Sequence, residues 1–64
     1  VSDYQEWIDE LRHELQGVMD NIDTNLRYHA DRDMAADHIE TVAIVYDVSK
    51  ILFQELSKIY MELE

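Results

Sequence analysis

Fifteen acids and three histidines are the residues in this 64-residue chain whose types could do chemistry, and their spacing decides against most of it. His29, Asp31, Asp33, Asp37 and His38 crowd five potential metal ligands into ten residues. A calcium loop, however, needs spaced acids, a Gly at its sixth position and a closing Glu, and this spacing matches no diagnostic zinc pattern. The cluster reads as solvated turn and cap residues, without a metal. Glu10-Leu11-Arg12-His13 has the Glu-x-x-His spacing of four-helix di-iron proteins, but with Leu11 and Leu15 facing a core, Glu10 and His13 face outward. There is no Cys to act as a nucleophile. Ser49 lies on an apolar stripe, where a hydroxyl permits close packing or bonds back to its own helix. The expectation is no catalytic residue, no metal, no cofactor and no enzyme activity.

The carboxylates do better as a surface. Glu6, Glu10 and Glu14 form a row at i, i+4 spacing, joined by Asp3, Asp9, Asp20 and Asp23, with only Arg12 and Arg27 as counter-charges. Like charges at that spacing destabilise a helix by about 0.2–0.5 kcal/mol per pair, so a sequence shaped for stability alone would alternate signs. The net charge of −10 is spread evenly, with seven acids and two bases in residues 1–29 and eight and three in residues 30–64. Such a surface repels nucleic acid and anionic lipid and attracts basic protein surfaces.

The elements that must carry these residues are helical. There is no Pro and a single Gly, Gly17, which removes the usual punctuation of hairpins and loops. Ser2 followed by Gln5 has capping-box spacing, with Asp3 and Glu6 where the helix dipole favours acids. A 3-4 stripe then runs through Tyr4, Ile8, Leu11, Leu15, Val18, Ile22, Asn25 and His29. Gly17 lies off this stripe, where it costs about 1 kcal/mol relative to Ala. Ala30 to Asp33 interrupts the pattern, and Asp33 is placed to cap the next helix. That second helix carries a seam of Ala35, His38, Val42, Val45, Ser49, Leu52, Leu56, Ile59 and Leu63, a parallel column of Ile39, Tyr46, Phe53 and Tyr60, and a third patch of Ile44, Val48 and Ile51.

One partner helix covers one stripe, so the second helix needs more neighbours than a hairpin supplies. The predicted architecture is all-α: an antiparallel two-helix hairpin in one domain, helix 1 about 3–29, turn 30–33, helix 2 about 34–62, pairing with a second copy into a homodimeric four-helix bundle. Folding about position 31.5 sets Asn25 opposite His38 as a polar layer that fixes register. The interface with the second copy or another partner is expected at Ile44, Val48, Ile51, Leu52, Tyr46 and Phe53. The longest apolar run, Val42 to Tyr46, is far short of the roughly 20 residues that span a bilayer, so a soluble, cytoplasmic protein is expected.

The functional expectation is a small regulatory or inhibitory protein whose acidic helix 1 face docks a basic site on a target protein. It would contact neither nucleic acid nor membrane directly. A dimer would hold twice the −10 along about 42 Å of helix, or one charge per ~2 Å against the ~1.7 Å of duplex DNA. In size, acidity and helicity the chain resembles small phage- and plasmid-borne inhibitors that occupy nucleic-acid-binding clefts. In length and layout it is similar to the two-helix RNA-binding regulators of plasmid copy number. The alternative expectation is a helical adaptor or chaperone-like module in which Ile44, Val48 and Ile51 capture an apolar helix.

Overall fold

A computed structural model describes residues 2–64 as two helices, α1 (Asp3–His29) and α2 (Ala36–Leu63), packed against each other as a hairpin. The start of α1 follows its sequence signal: the Ser2 hydroxyl accepts the Gln5 backbone N–H at 3.1 Å, and Ser2 itself is extended. Asp3 and Glu6 occupy the first turn and Arg27 and His29 the last, so both ends of α1 carry charges that complement its dipole.

The turn unwinds in stages. Ala30 N–H still bonds to the Leu26 carbonyl at 2.9 Å, after which the N–H groups of Arg32, Asp33 and Met34 converge on the His29 carbonyl at 3.0, 3.1 and 3.3 Å. α2 begins at Ala36, two residues beyond the expected start, and its N-cap is the extended Ala35 with no side-chain cap bond. Asp33 therefore does not cap α2. Its carboxylate meets His29 Nδ1 at 2.9 Å instead, which ties the turn back onto α1. Asp37 in the first turn of α2 supplies the acid that the uncapped N–H groups favour.

Between the helices, Ile8 and Met19 of α1 and Ser49 of α2 are buried at 3%, 7% and 6% exposure. Leu11, Leu15, Ile22 and Leu26 complete the α1 side as half-buried residues. The α2 side is a 3-4 stripe of Ile39, Val42, Tyr46, Ser49, Phe53, Leu56 and Tyr60. This corrects the expected seam. Val42, Ser49 and Leu56 belong to it, but His38, Val45 and Leu52 are exposed and the aromatic column takes their place. The helix turns toward the stripe that buries more, since each aromatic ring removes more apolar area from water than the Val or Leu beside it.

The register also differs from a hairpin folded about 31.5, which would set Arg12 opposite position 51. Arg12 Nε instead donates to Ser57 Oγ at 3.1 Å, with the guanidinium 4.5 Å from the Tyr60 ring and 5.4 Å from that of Phe53. Consequently the polar layer of Asn25 and His38 does not form. Asn25 Nδ2 donates to the Asn21 carbonyl of its own helix at 2.9 Å, and His38 is exposed. The connection through Met34 and Ala35 is longer than the turn at 30–33 alone, and it shifts the whole of α2 along α1.

Gly17 sits inside α1 with ordinary helical backbone, and a Cβ added there meets nothing within 4 Å. Gly17→Ala is expected to raise stability by about 0.5–1 kcal/mol through the less flexible unfolded chain and the better helix propensity. Thermal unfolding at fixed protein concentration measures it, and an unchanged or lowered midpoint contradicts the open environment of Gly17.

Candidate functional site

The acidic face is built by the outer circumference of α1. Asp3, Glu6, Glu10, Glu14, Asp20 and Asp23 are exposed, and Asp9 is half-buried. With about 100° per residue, Glu6 and Glu10 fall on the side of α1 opposite Ile8 and Met19. The other five wrap the flanks, so the acids cover about half the circumference rather than one line. Four of the five bases have local partners. Arg12 pairs with Asp9 at 3.0 Å, Arg27 with Asp23 at 3.3 Å and Lys58 with Glu55 at 3.0 Å, while Arg32 donates to the Tyr28 carbonyl and covers the Tyr28 ring. Asp20 accepts from the Gln16 amide at 3.2 Å. Among the described residues no cation reaches Glu6, Glu10 or Glu14.

Arg12, expected as a counter-charge for the acid row, does pair with Asp9 of that face, but it also reaches across to α2, which its sequence position did not indicate. Its head group bonds Ser57 Oγ and Asp9 Oδ1, and it covers the faces of Tyr60 and Phe53. Arginine suits this place because a planar, weakly hydrated cation stacks on rings while its in-plane N–H groups still donate. The only base in the first half of α1 is thus turned toward α2. Its signal in the sequence was two aromatics at seven-residue spacing, which become a cation site only once the register is known.

The expected interface residues divide. Tyr46 and Phe53 are half-buried within the hairpin, facing α1. Ile44, Val48, Ile51 and Leu52 are 60%, 47%, 56% and 48% exposed. Ile44 stands nine residues from Phe53, and Ile51 nine from both Val42 and Tyr60, which is about two and a half turns. Ile44 and Ile51 therefore point away from α1. Val45 and Leu52 lie on a flank, and they share it with part of α1. Arg12 and Ser57 mark one side of the hairpin, and the exposed Trp7 and Val18 of α1, like Val45 and Leu52 of α2, fall in helical phase on the other.

The hairpin exposes more surface than a compact fold of its size. For a 7.6 kDa chain a compact fold exposes about 4,300 Å², whereas the hairpin exposes 4937 Å² and measures 46 × 14 × 12 Å. The excess is of the order of the ~800 Å² that each partner buries in a stable interface.

Set against known proteins, the chain matches no family model, no curated protein and no solved structure.

For the ligand chemistry weighed at the turn, His29 and Asp33 meet, but among the described residues no group of three or more His, Asp or Glu stands close enough to hold one ion. Glu10 and His13 are exposed, and His13 Nδ1 donates to the Asp9 carbonyl at 2.8 Å.

Replacing Arg12 by Ala removes the contact with Ser57, the ion pair with Asp9 and the ring contacts together. The expected loss is about 1–2 kcal/mol, mostly from packing and cation-π contact and little from the partly exposed ion pair. Asp9→Asn should therefore cost far less than Arg12→Ala in chemical unfolding. Equal losses would show that the ion pair, not the aromatic contact, holds Arg12.

Proposed function

We propose that the protein is a non-catalytic binding protein, a homodimeric four-helix bundle that presents the acidic outer side of α1 to a basic site on a target protein. The observation that carries the reading is the open row of Glu6, Glu10 and Glu14. These side chains are exposed and, among the described residues, without a cation, while the nearest base, Arg12, is engaged with Ser57, Asp9 and the aromatic rings. Uncompensated carboxylates at i, i+4 spacing lower helix stability, and a basic partner surface converts that cost into attraction. A target with a nucleic-acid-binding cleft offers the matching charge density.

The bundle supports this reading because it supplies what a lone hairpin lacks. Among the described residues only Ile8, Met19 and Ser49 are buried, a small core for independent stability in a chain of this size. Pairing through the flank of Trp7, Val18, Val45 and Leu52 covers apolar surface and leaves Glu6 and Glu10 outward. Val48 borders the same flank, so the pairing extends over it toward the outer edge of α2.

A second reading has its own observation. Ile44 and Ile51 point away from α1, so a bundle closed on the Trp7 flank leaves them at its outer edge, where an apolar helix of another protein could dock. The target would then be held by an α2 face rather than by charge.

The readings separate by salt and by substitution. The double change Glu6→Gln and Glu10→Gln should leave the dimer intact in light scattering and weaken target capture from the host at low ionic strength. Capture by the unmodified protein should fall steeply with added salt. Salt-independent capture that is abolished by Ile44→Asp with the dimer preserved would overturn the acidic-face reading in favour of the adaptor. Leu52→Asp should dissociate the dimer, and a wild-type protein that scatters as a monomer at all concentrations contradicts the bundle.

A further inference from the structure

We infer that the second copy lies antiparallel across the Trp7 flank, so that Trp7 of each copy seats in the groove at the turn end of the other. This rests on the homodimer reading and adds the orientation and the anchor.

Two features of one surface carry it. Trp7 is 54% exposed near the open end of the hairpin. Near the turn end, a groove of about 280 Å³ runs between the helices, lined by Ile22, Asn25, Leu26, Met34 and Val42 among others. Trp7 and Asn25 are 18 residues apart, about five full turns, so both stand on the same side of α1. They are also symmetric along it: the helix Asp3–His29 is centred on Gln16, and positions 7 and 25 are equidistant from that centre. A two-fold axis lying in the interface between the copies, perpendicular to the helices and level with Gln16, therefore brings Trp7 of one copy onto Asn25 of the other. The same axis passes α2 near Phe53, since Gln16 and Phe53 line one groove, so Leu52 of one copy lies beside Leu52 of the other.

A parallel dimer, with its axis along the hairpin, does neither. It holds Trp7 at the open end of its partner and leaves the turn-end groove without an occupant. The antiparallel arrangement also places the acidic first turn of each α1, with Asp3, beside the last turn of the other, with His29, and so sets opposite dipole ends together.

The chemistry of the seat suits an indole. The groove is mostly apolar in its lining, and a buried indole N–H needs an acceptor. Because Asn25 Nδ2 donates to the Asn21 carbonyl, the Asn25 amide oxygen is turned the other way and can accept. Asn25, a polar residue on the α1 stripe, thereby gains a role that the hairpin alone does not give it.

The chain has one Trp and no Cys, so the test uses the full-length protein with a single label. A nitroxide attached to Asn21→Cys, at the rim of the groove, is about 21 Å along the helix from Trp7 of its own chain, beyond contact quenching. At concentrations where light scattering gives a dimer, Trp7 should lose most of its emission, and dilution to monomer should restore it. A dimer with unquenched Trp7 overturns the antiparallel seat while leaving the homodimer standing, and a monomer at every concentration removes both. Trp7→Ala should weaken dimerisation by about tenfold or more, as an anchor does, and an unchanged dimer constant contradicts the anchor.

Discussion

A helix can hide one stripe of its surface against one neighbour, and the architecture of this protein turns on α2 having more apolar surface than that stripe holds. α1 takes the face of Ile39, Tyr46, Ser49, Phe53 and Tyr60. What remains, Ile44, Val45, Val48, Ile51 and Leu52, is between 45% and 60% exposed in the hairpin. The hairpin is accordingly long and thin, with its few buried groups strung along one line rather than gathered into a centre. Its apolar remainder lies on α2 and on the adjoining flank of α1, which Glu14 borders, while Glu6 and Glu10 stand on the side of α1 away from α2. Apolar surface and most of the charge of α1 thus fall on different sides of one small object.

The separation depends on where the bases go. In an ordinary acidic helix, scattered Arg and Lys side chains quench the field locally. Here Arg12 is drawn toward the aromatic rings of α2, Arg27 and Lys58 answer single acids on their own helices, and Arg32 closes over Tyr28 at the turn. The first turns of α1 keep their negative field because the fold has a better use for the cation beside them. Fold stability and surface charge are linked through one guanidinium.

Much of the fold was legible in the sequence because its signals are local. Ser2 with Gln5 marks the start of α1, the apolar spacing of Ile8, Leu11, Leu15 and Ile22 marks its inner face, and the polar residues after His29 mark its end. What was illegible depends on contrast between faces. On α2 the Val45–Leu52 stripe and the Tyr46–Phe53 stripe are both apolar and adjacent, so periodicity alone does not say which faces α1. Tyr46 and Phe53 were therefore placed at an outer interface, although they line the hairpin. Register was equally hidden: Met34 and Ala35 carry no helix breaker, yet both fall outside the helices, Ala35 in extended backbone, and that carries Asn25 away from His38. The acidic face was readable as composition, but the inward turn of Arg12 that leaves it open was not, because it needs the register first.

The same lack of contrast bears on how the chain finds a single fold. Rotating or sliding α2 by one position against α1 would still bury Val, Ile or Leu at nearly the same gain, so several hairpins compete with little between them in energy. A slipped hairpin would lose something more particular. Arg12 would no longer find Ser57 and two aromatic rings, and Ser49 would no longer be the small, buried side chain of α2 against α1. Polar and small residues of this kind discriminate among near-equal packings. Which aliphatic residues are left to face the outside, and hence what the protein can hold, is thereby chosen by an arginine that faces in.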